Sequence, residues 1–108
     1  MTSHRERQER ILDDIRRERA AQDAIFGVQD LPNGTGITGD RERANRARAV
    51  CDHLFERGEG TYRDVFYEEV MEALAEDDPD KLRAELVQAV AVGVKWLEAI
   101  DRAAEAGV

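Results

Sequence analysis

Apolar side chains recur along most of this chain at steps of three and four, the period of a helix with one buried face. Ile11, Leu12 and Ile15 open the first stripe, and Ser3 followed by Glu6 gives it a capping-box start near His4. The stripe then falls on Glu18 or Arg19 and on Gln22, before apolar residues return at Ile25 and Phe26 and Gly27 supplies a stop. Polar residues therefore interrupt the face that should be buried. One reading places Glu18 and Arg19 at the stripe's edge with only their stems covered. The other turns Glu18 and Gln22 toward a polar cavity, where Gln22 can hydrogen-bond a base and Glu18 can support a metal site.

Residues 28–40 break the periodicity. Pro32 and Asn33-Gly34 are turn signals. Gly34, Gly36 and Gly39 invite a phosphate-loop reading, which fails because no Gly-Lys-Ser/Thr follows and no strand precedes. The segment reads as a flexible Gly-rich connector, long enough to serve as a lid. Asp40 then caps a second helix whose stripe is Ala44, Ala47, Val50, Cys51, Leu54 and Phe55, mostly small and suited to close packing. Its start is basic: Arg41, Arg43, Arg46 and Arg48 pair with acidic neighbours or, near a cleft, clamp a triphosphate tail. His53 reads as a hydrogen-bonded packing residue rather than a ligand.

Thr61 and Asp64 form the next capping-type start, and Tyr62, Val65, Phe66, Val70, Ala73 and Leu74 give the third helix its core side. Asp78 caps the last helix and Pro79 takes its first position. These signals predict an all-α bundle of about four helices, near 4–26, 41–57, 62–76 and 79–104, in one domain of 108 residues. From Leu86 to Val94 the last helix is apolar nearly all round, so it needs cover on several sides; a second subunit supplies it, as a homodimer or higher homo-oligomer. Trp96, Leu97 and Ile100 read as core or dimer contacts.

Composition agrees with a charged helical bundle. Charged residues make up 37% and aromatics only 6%, a poor recipe for sheet. A net charge of −8 argues against non-specific binding to nucleic acid or to an anionic membrane. It leaves room for a nucleotide, because bound Mg²⁺ inverts the local field. The single cysteine, Cys51, excludes an intrachain disulfide and a Cys-rich metal site, and reads as a small packing residue. The polar N-terminus carries no apolar signal region, and no run of about 18 apolar residues exists to span a membrane. The chain is expected to be cytoplasmic.

The chemistry concentrates in two short stretches. Glu69 and Glu72 are three apart on the third helix and share a face; Glu85 and Gln88 do the same on the fourth. Glu68 lies one turn before Glu72. Side by side, the two helices would aim these groups at one point, where carboxylates repel unless a cation joins them, and Mg²⁺ suits an all-oxygen site with room for phosphate. The same spacing also describes the wet faces of two acidic helices. Glu85, Gln88, Val92 and Lys95 run along one stripe of the last helix. A buried Gln88 would need polar partners, and Lys95 either meets a phosphate tail or snorkels at the surface.

Glu68-Glu69-x-x-Glu72, twelve residues, then Glu85-x-x-Gln88 resembles the signature of the MazG-like all-α NTP pyrophosphohydrolases, with Gln88 where that family has Asp. The run Glu18-Arg19-Ala20-Ala21-Gln22-Asp23-Ala24-Ile25-Phe26-Gly27-Val28-Gln29 also resembles small bacterial and phage proteins grouped with that set. The resemblance implies cleavage of a nucleoside triphosphate to a monophosphate and pyrophosphate, with Mg²⁺, or alternatively Mn²⁺, held by Glu69, Glu72 and Glu85. Gln88 would be a weaker neutral ligand and Glu68 a general base or orienting group, with Glu18, Gln22 and Lys95 toward the substrate. The Asp-to-Gln departure removes one negative charge and should weaken Mg²⁺ affinity. It leaves open a bundle that only binds a nucleotide or a protein partner, or a structural helical dimer.

Overall fold

The computed structural model describes residues 1–107 and contains four helices: α1 (His4–Phe26), α2 (Asp40–Glu56), α3 (Tyr62–Leu74) and α4 (Pro79–Glu105). The described residues include no strand, so the protein is all-α. No helix among them is long and apolar enough to cross a membrane.

The ends follow local chemistry. The Ser3 hydroxyl accepts from the Glu6 N–H at 3.1 Å, and Gly27, at φ 70°, closes α1 with its N–H on the Asp23 carbonyl. Thr61 and Asp64 complete a reciprocal capping box on α3. Asp78 accepts from the N–H groups of Asp80 and Lys81 at 2.9 and 3.2 Å, with Pro79 in the first turn of α4. Each such cap contributes about 1 kcal/mol.

Helix ends shift by one or two residues from the sequence reading, and two of the shifts have a visible cause. Asp40 is the first residue of α2 rather than its cap; Gly39, at φ 91°, takes the cap position. The Asp40 carboxylate instead turns back to accept from the Ile37 N–H at 2.9 Å and from Arg43 at 2.6 Å. The Arg43 guanidinium holds the Asp40 carboxyl below its ordinary range. Helix α3 stops at Leu74 instead of 76 because the Leu74 carbonyl receives the Gly36 N–H at 2.8 Å. The last turn then tightens, with the Glu76 N–H on the Ala73 carbonyl.

The chain divides into two compact units, Asn33–Gly93, and Met1–Pro32 together with the segment from Val94 on; α4 contributes to both. In the first, α2 packs closely on α3. Its buried apolar residues are mostly small: Ala44, Ala47 and Cys51 on α2 and Ala73 on α3, with Ala89 and the larger Leu82 from α4. Small side chains let helix backbones approach. A Cβ on Gly93 would stand 3.4 Å from the Phe66 ring, an ordinary van der Waals contact.

The second unit has a mixed core of Ile11, Arg7 and Glu98. Arg7 and Arg10 both engage Glu105, and His4 Nδ1 lies 3.4 Å from Glu98 Oε2. The Arg7 hydrogen bond, ahead of those from Thr2 and Arg10, holds the Glu105 carboxyl below its ordinary range. Ile25 and Phe26, expected on the buried stripe of α1, are 74% and 64% exposed, because α1 presents its buried side only at Arg7 and Ile11.

Candidate acidic site between α3 and α4

Glu68, Glu69 and Glu72 project from α3 and Glu85 from α4, all within the Asn33–Gly93 unit. Their surroundings are partly dry: the side chains of Glu72 and Glu68 are only 11% and 17% exposed. Burial pushes the Glu69 carboxyl above its ordinary range, and Glu68, Glu85 and Glu72 add to that in the same direction. The four carboxylates named from the sequence thus share one electrostatic neighbourhood.

Arginines of α2 compensate the cluster. Arg48 places Nη2 2.9 Å from Glu72 Oε1 and Nε 3.5 Å from Glu68 Oε1. Arg41 donates to Glu72 Oε2 at 3.1 Å and reaches the Ala75 carbonyl. Arg48 also opposes the upward push on Glu69. Glu72 Oε1 is buried and has no aligned hydrogen bond despite its short distance to Arg48. An acceptor left this way costs about 1–3 kcal/mol. Arg41 and Arg48 are seven apart, two helical turns, so one face of α2 meets the acids. That spacing was the available signal for choosing them among the four arginines.

Carboxylate oxygens with one acceptor unsatisfied are the donor type that hard divalent cations take. They are not gathered in a shell: among the described residues no three His, Cys, Asp or Glu side chains are placed to hold a metal ion. Arg48 offsets the charge of Glu68 and Glu72.

Gln88 departs from the sequence reading, for it is exposed rather than buried. The buried side of α4 in this unit is set by Leu82 and Ala89, two turns apart, with Glu85 beside them. Gln88 lies about 100° around the helix from Ala89 and therefore falls off the edge of that side. Lys95, farther along the same edge, is exposed as well. Leu86, Val87 and Val90, for which cover was expected, are 47%, 54% and 57% exposed in the single chain.

Cys51 is buried, as expected of a packing residue, and its thiol is pushed up to about 11 by desolvation and by its hydrogen bond to Glu68. His53 is exposed, not packed. Trp96 is half-buried. Glu18 and Gln22 belong to the other unit and are exposed. Gln22 Nε2 donates to Glu18 Oε1 at 3.3 Å, and Arg19 donates to Gln22 and Asp23 at 3.0 Å each. The pair lines a concavity of about 550 Å³ with Ile25, Phe26 and the turn at Gly27. The polar break in the α1 stripe is a solvated network along the helix.

No protein-family model, curated protein or solved structure matches this chain.

Proposed function

We propose that the protein is a Mg²⁺-dependent nucleoside triphosphate pyrophosphohydrolase of the MazG-like kind. The observation that carries the reading is the crowding of Glu69 by Glu68, Glu72 and Glu85 in a half-buried site. Like charges are concentrated this way at a cost, and a divalent cation relieves it. Glu69, Glu72 and Glu85 would hold the ion, with the Gln88 amide oxygen as a weaker neutral ligand. The bound ion supplies phosphate-charge neutralisation and water activation. Glu68 accepts the proton of the water that attacks phosphorus, and the bond between the α and β phosphates breaks to release pyrophosphate. Arg48, which pairs with Glu72 and Glu68, would be the arginine beside these acids that a phosphate oxygen could engage.

Phosphorus NMR tests this directly, with a panel of NTPs and dNTPs, Mg²⁺ or Mn²⁺, and wild type beside Glu69→Gln. Pyrophosphate from wild type alone supports the proposal. Absence of turnover, with neither metal nor nucleotide shifting Tm, sinks it. The exposure of Gln88 favours a second reading, a bundle that binds a nucleotide or protein partner without turnover. In that case nucleotide raises Tm and is recovered intact.

A further inference from the structure

We infer that the cavity between α2 and α3 is a metal-independent binding site for a nucleoside monophosphate, with Arg46 and Arg63 on its phosphate. The cavity measures about 550 Å³ and lies in the same unit as the acidic cluster. Arg43, Arg46 and Arg63 line it, together with Ala47, Val50 and Tyr67. This volume lies in the range of small-molecule sites.

The arginines are not equivalent. Arg43 is committed to Asp40 at 2.6 Å. Arg46 and Arg63 make no ion pair and no hydrogen bond among the described residues. The chain carries 24 acids against 16 basic residues, so an available carboxylate partner is not scarce. The acid that does line the cavity, Asp64, is already used, with Oδ2 accepting from the Thr61 N–H at 3.0 Å and the Thr61 hydroxyl at 2.7 Å. Two guanidinium forks without partners in one concavity match the oxygens of a phosphate, which accepts bidentate pairs.

The rest of the lining identifies what the phosphate is attached to. Tyr67 is 50% exposed and Val50 55% exposed, and both contribute to the cavity wall with Ala47. An aromatic ring beside small aliphatic groups suits the flat face of a base. Cys51 joins the cavity to the acidic cluster, since it lines the former and hydrogen-bonds Glu68 of the latter. Recognition by Arg46, Arg63 and Tyr67 needs no metal, so this inference stands apart from the pyrophosphohydrolase reading.

Isothermal titration in EDTA tests it, with AMP, GMP, CMP and dTMP as probes and inorganic phosphate as a separate one. Wild type is expected to bind at least one monophosphate. The double variant Arg46→Gln/Arg63→Gln should bind it about a hundredfold more weakly, about tenfold for each charge-assisted contact. Tyr67→Leu should weaken the monophosphate and leave inorganic phosphate unchanged. No monophosphate binding in EDTA, or unchanged binding by the double variant, overturns the site; equal loss of both probes with Tyr67→Leu overturns the base assignment. The double variant should retain the wild-type Tm response to Mg²⁺ and the wild-type helical circular dichroism. Failure of the metal reading would appear separately, as no Mg²⁺ response in wild type.

Discussion

Replacing Glu69 by Gln should move stability in opposite directions with and without Mg²⁺. In EDTA at neutral pH, ionised Glu69 is disfavoured by burial and by Glu68, Glu85 and Glu72, with Arg48 in opposition. One like-charge neighbour on a helix costs about 0.2–0.5 kcal/mol. Three such neighbours less one cation leave about 0.5–1 kcal/mol for Gln to relieve, a gain in Tm of a few degrees in a domain this size. The pH dependence fixes the sign. A carboxyl whose folded pKa is raised keeps its proton longer in the folded state, so its contribution is full below the unfolded pKa and is lost as pH rises through the folded one. The Gln variant removes that loss. With Mg²⁺ at a hundred times its Kd, wild type gains about 2.7 kcal/mol, roughly 10 °C or more. On the proposed metal site, the variant lacks one carboxylate ligand and should gain little. Thermal melts by circular dichroism from pH 5 to 8, in EDTA and in Mg²⁺, measure both arms. A variant that melts below wild type in EDTA, or responds to Mg²⁺ as wild type does, refutes the reasoning.

Arg48→Ala leaves Glu68 and Glu72 without their shared cation, so Tm in EDTA should fall and the rise on adding Mg²⁺ should grow; the same melts read both. Gly36→Ala should destabilise by about 1–2 kcal/mol, because Gly36 sits at φ 74°, where a Cβ strains the backbone, and the exposed Asp77 side chain must swing aside; urea denaturation checks it. Cys51, with its thiol near 11, should be about one part in a thousand thiolate at pH 8. Iodoacetamide should therefore label it slowly in the native protein and rapidly in urea, as mass spectrometry can follow. Glu105→Gln should lower Tm at pH 7, with the difference shrinking as pH falls through the depressed folded pKa of Glu105, since its stabilisation is present only when it is ionised.

Most helix starts and stops were legible because the chemistry that makes them is local. Ser3, Thr61 with Asp64, and Asp78 with Pro79 act on backbone groups within one turn, and Gly27 acts on its own φ. The end of α3 was not legible, because it depends on a hydrogen bond from Gly36, far away in the chain. Of the site, the spacing of Glu68, Glu69, Glu72 and Glu85 was legible, and the raised Glu69 carboxyl shows that they feel one another, but among the described residues they are not gathered as a metal shell would require. Periodicity also put Gln88 on the stripe of Glu85, but could not say where the buried side of α4 ends. That edge is set by which residues of α4 the other helices cover, and Leu82 and Ala89 fix it one step away from Gln88. The compensating arginines were visible as residue types, yet their pairing with Glu68 and Glu72 crosses between helices and has no local signature.

The anchoring of Gly36 to Leu74 also divides the long connection into two halves of different engineering value. Residues 28–35 make no hydrogen bond among the described residues, and Val28 and Leu31 are largely exposed. From Gly36 onward the chain is held by the Leu74 carbonyl, by the Asp40 carboxylate and by Arg43. A reporter domain, an affinity tag or new termini from circular permutation belong near Asn33-Gly34, where no native bond is broken. The same insertion three residues later would break the Gly36 bond to the Leu74 carbonyl at the end of α3 and the Ile37 bond to Asp40.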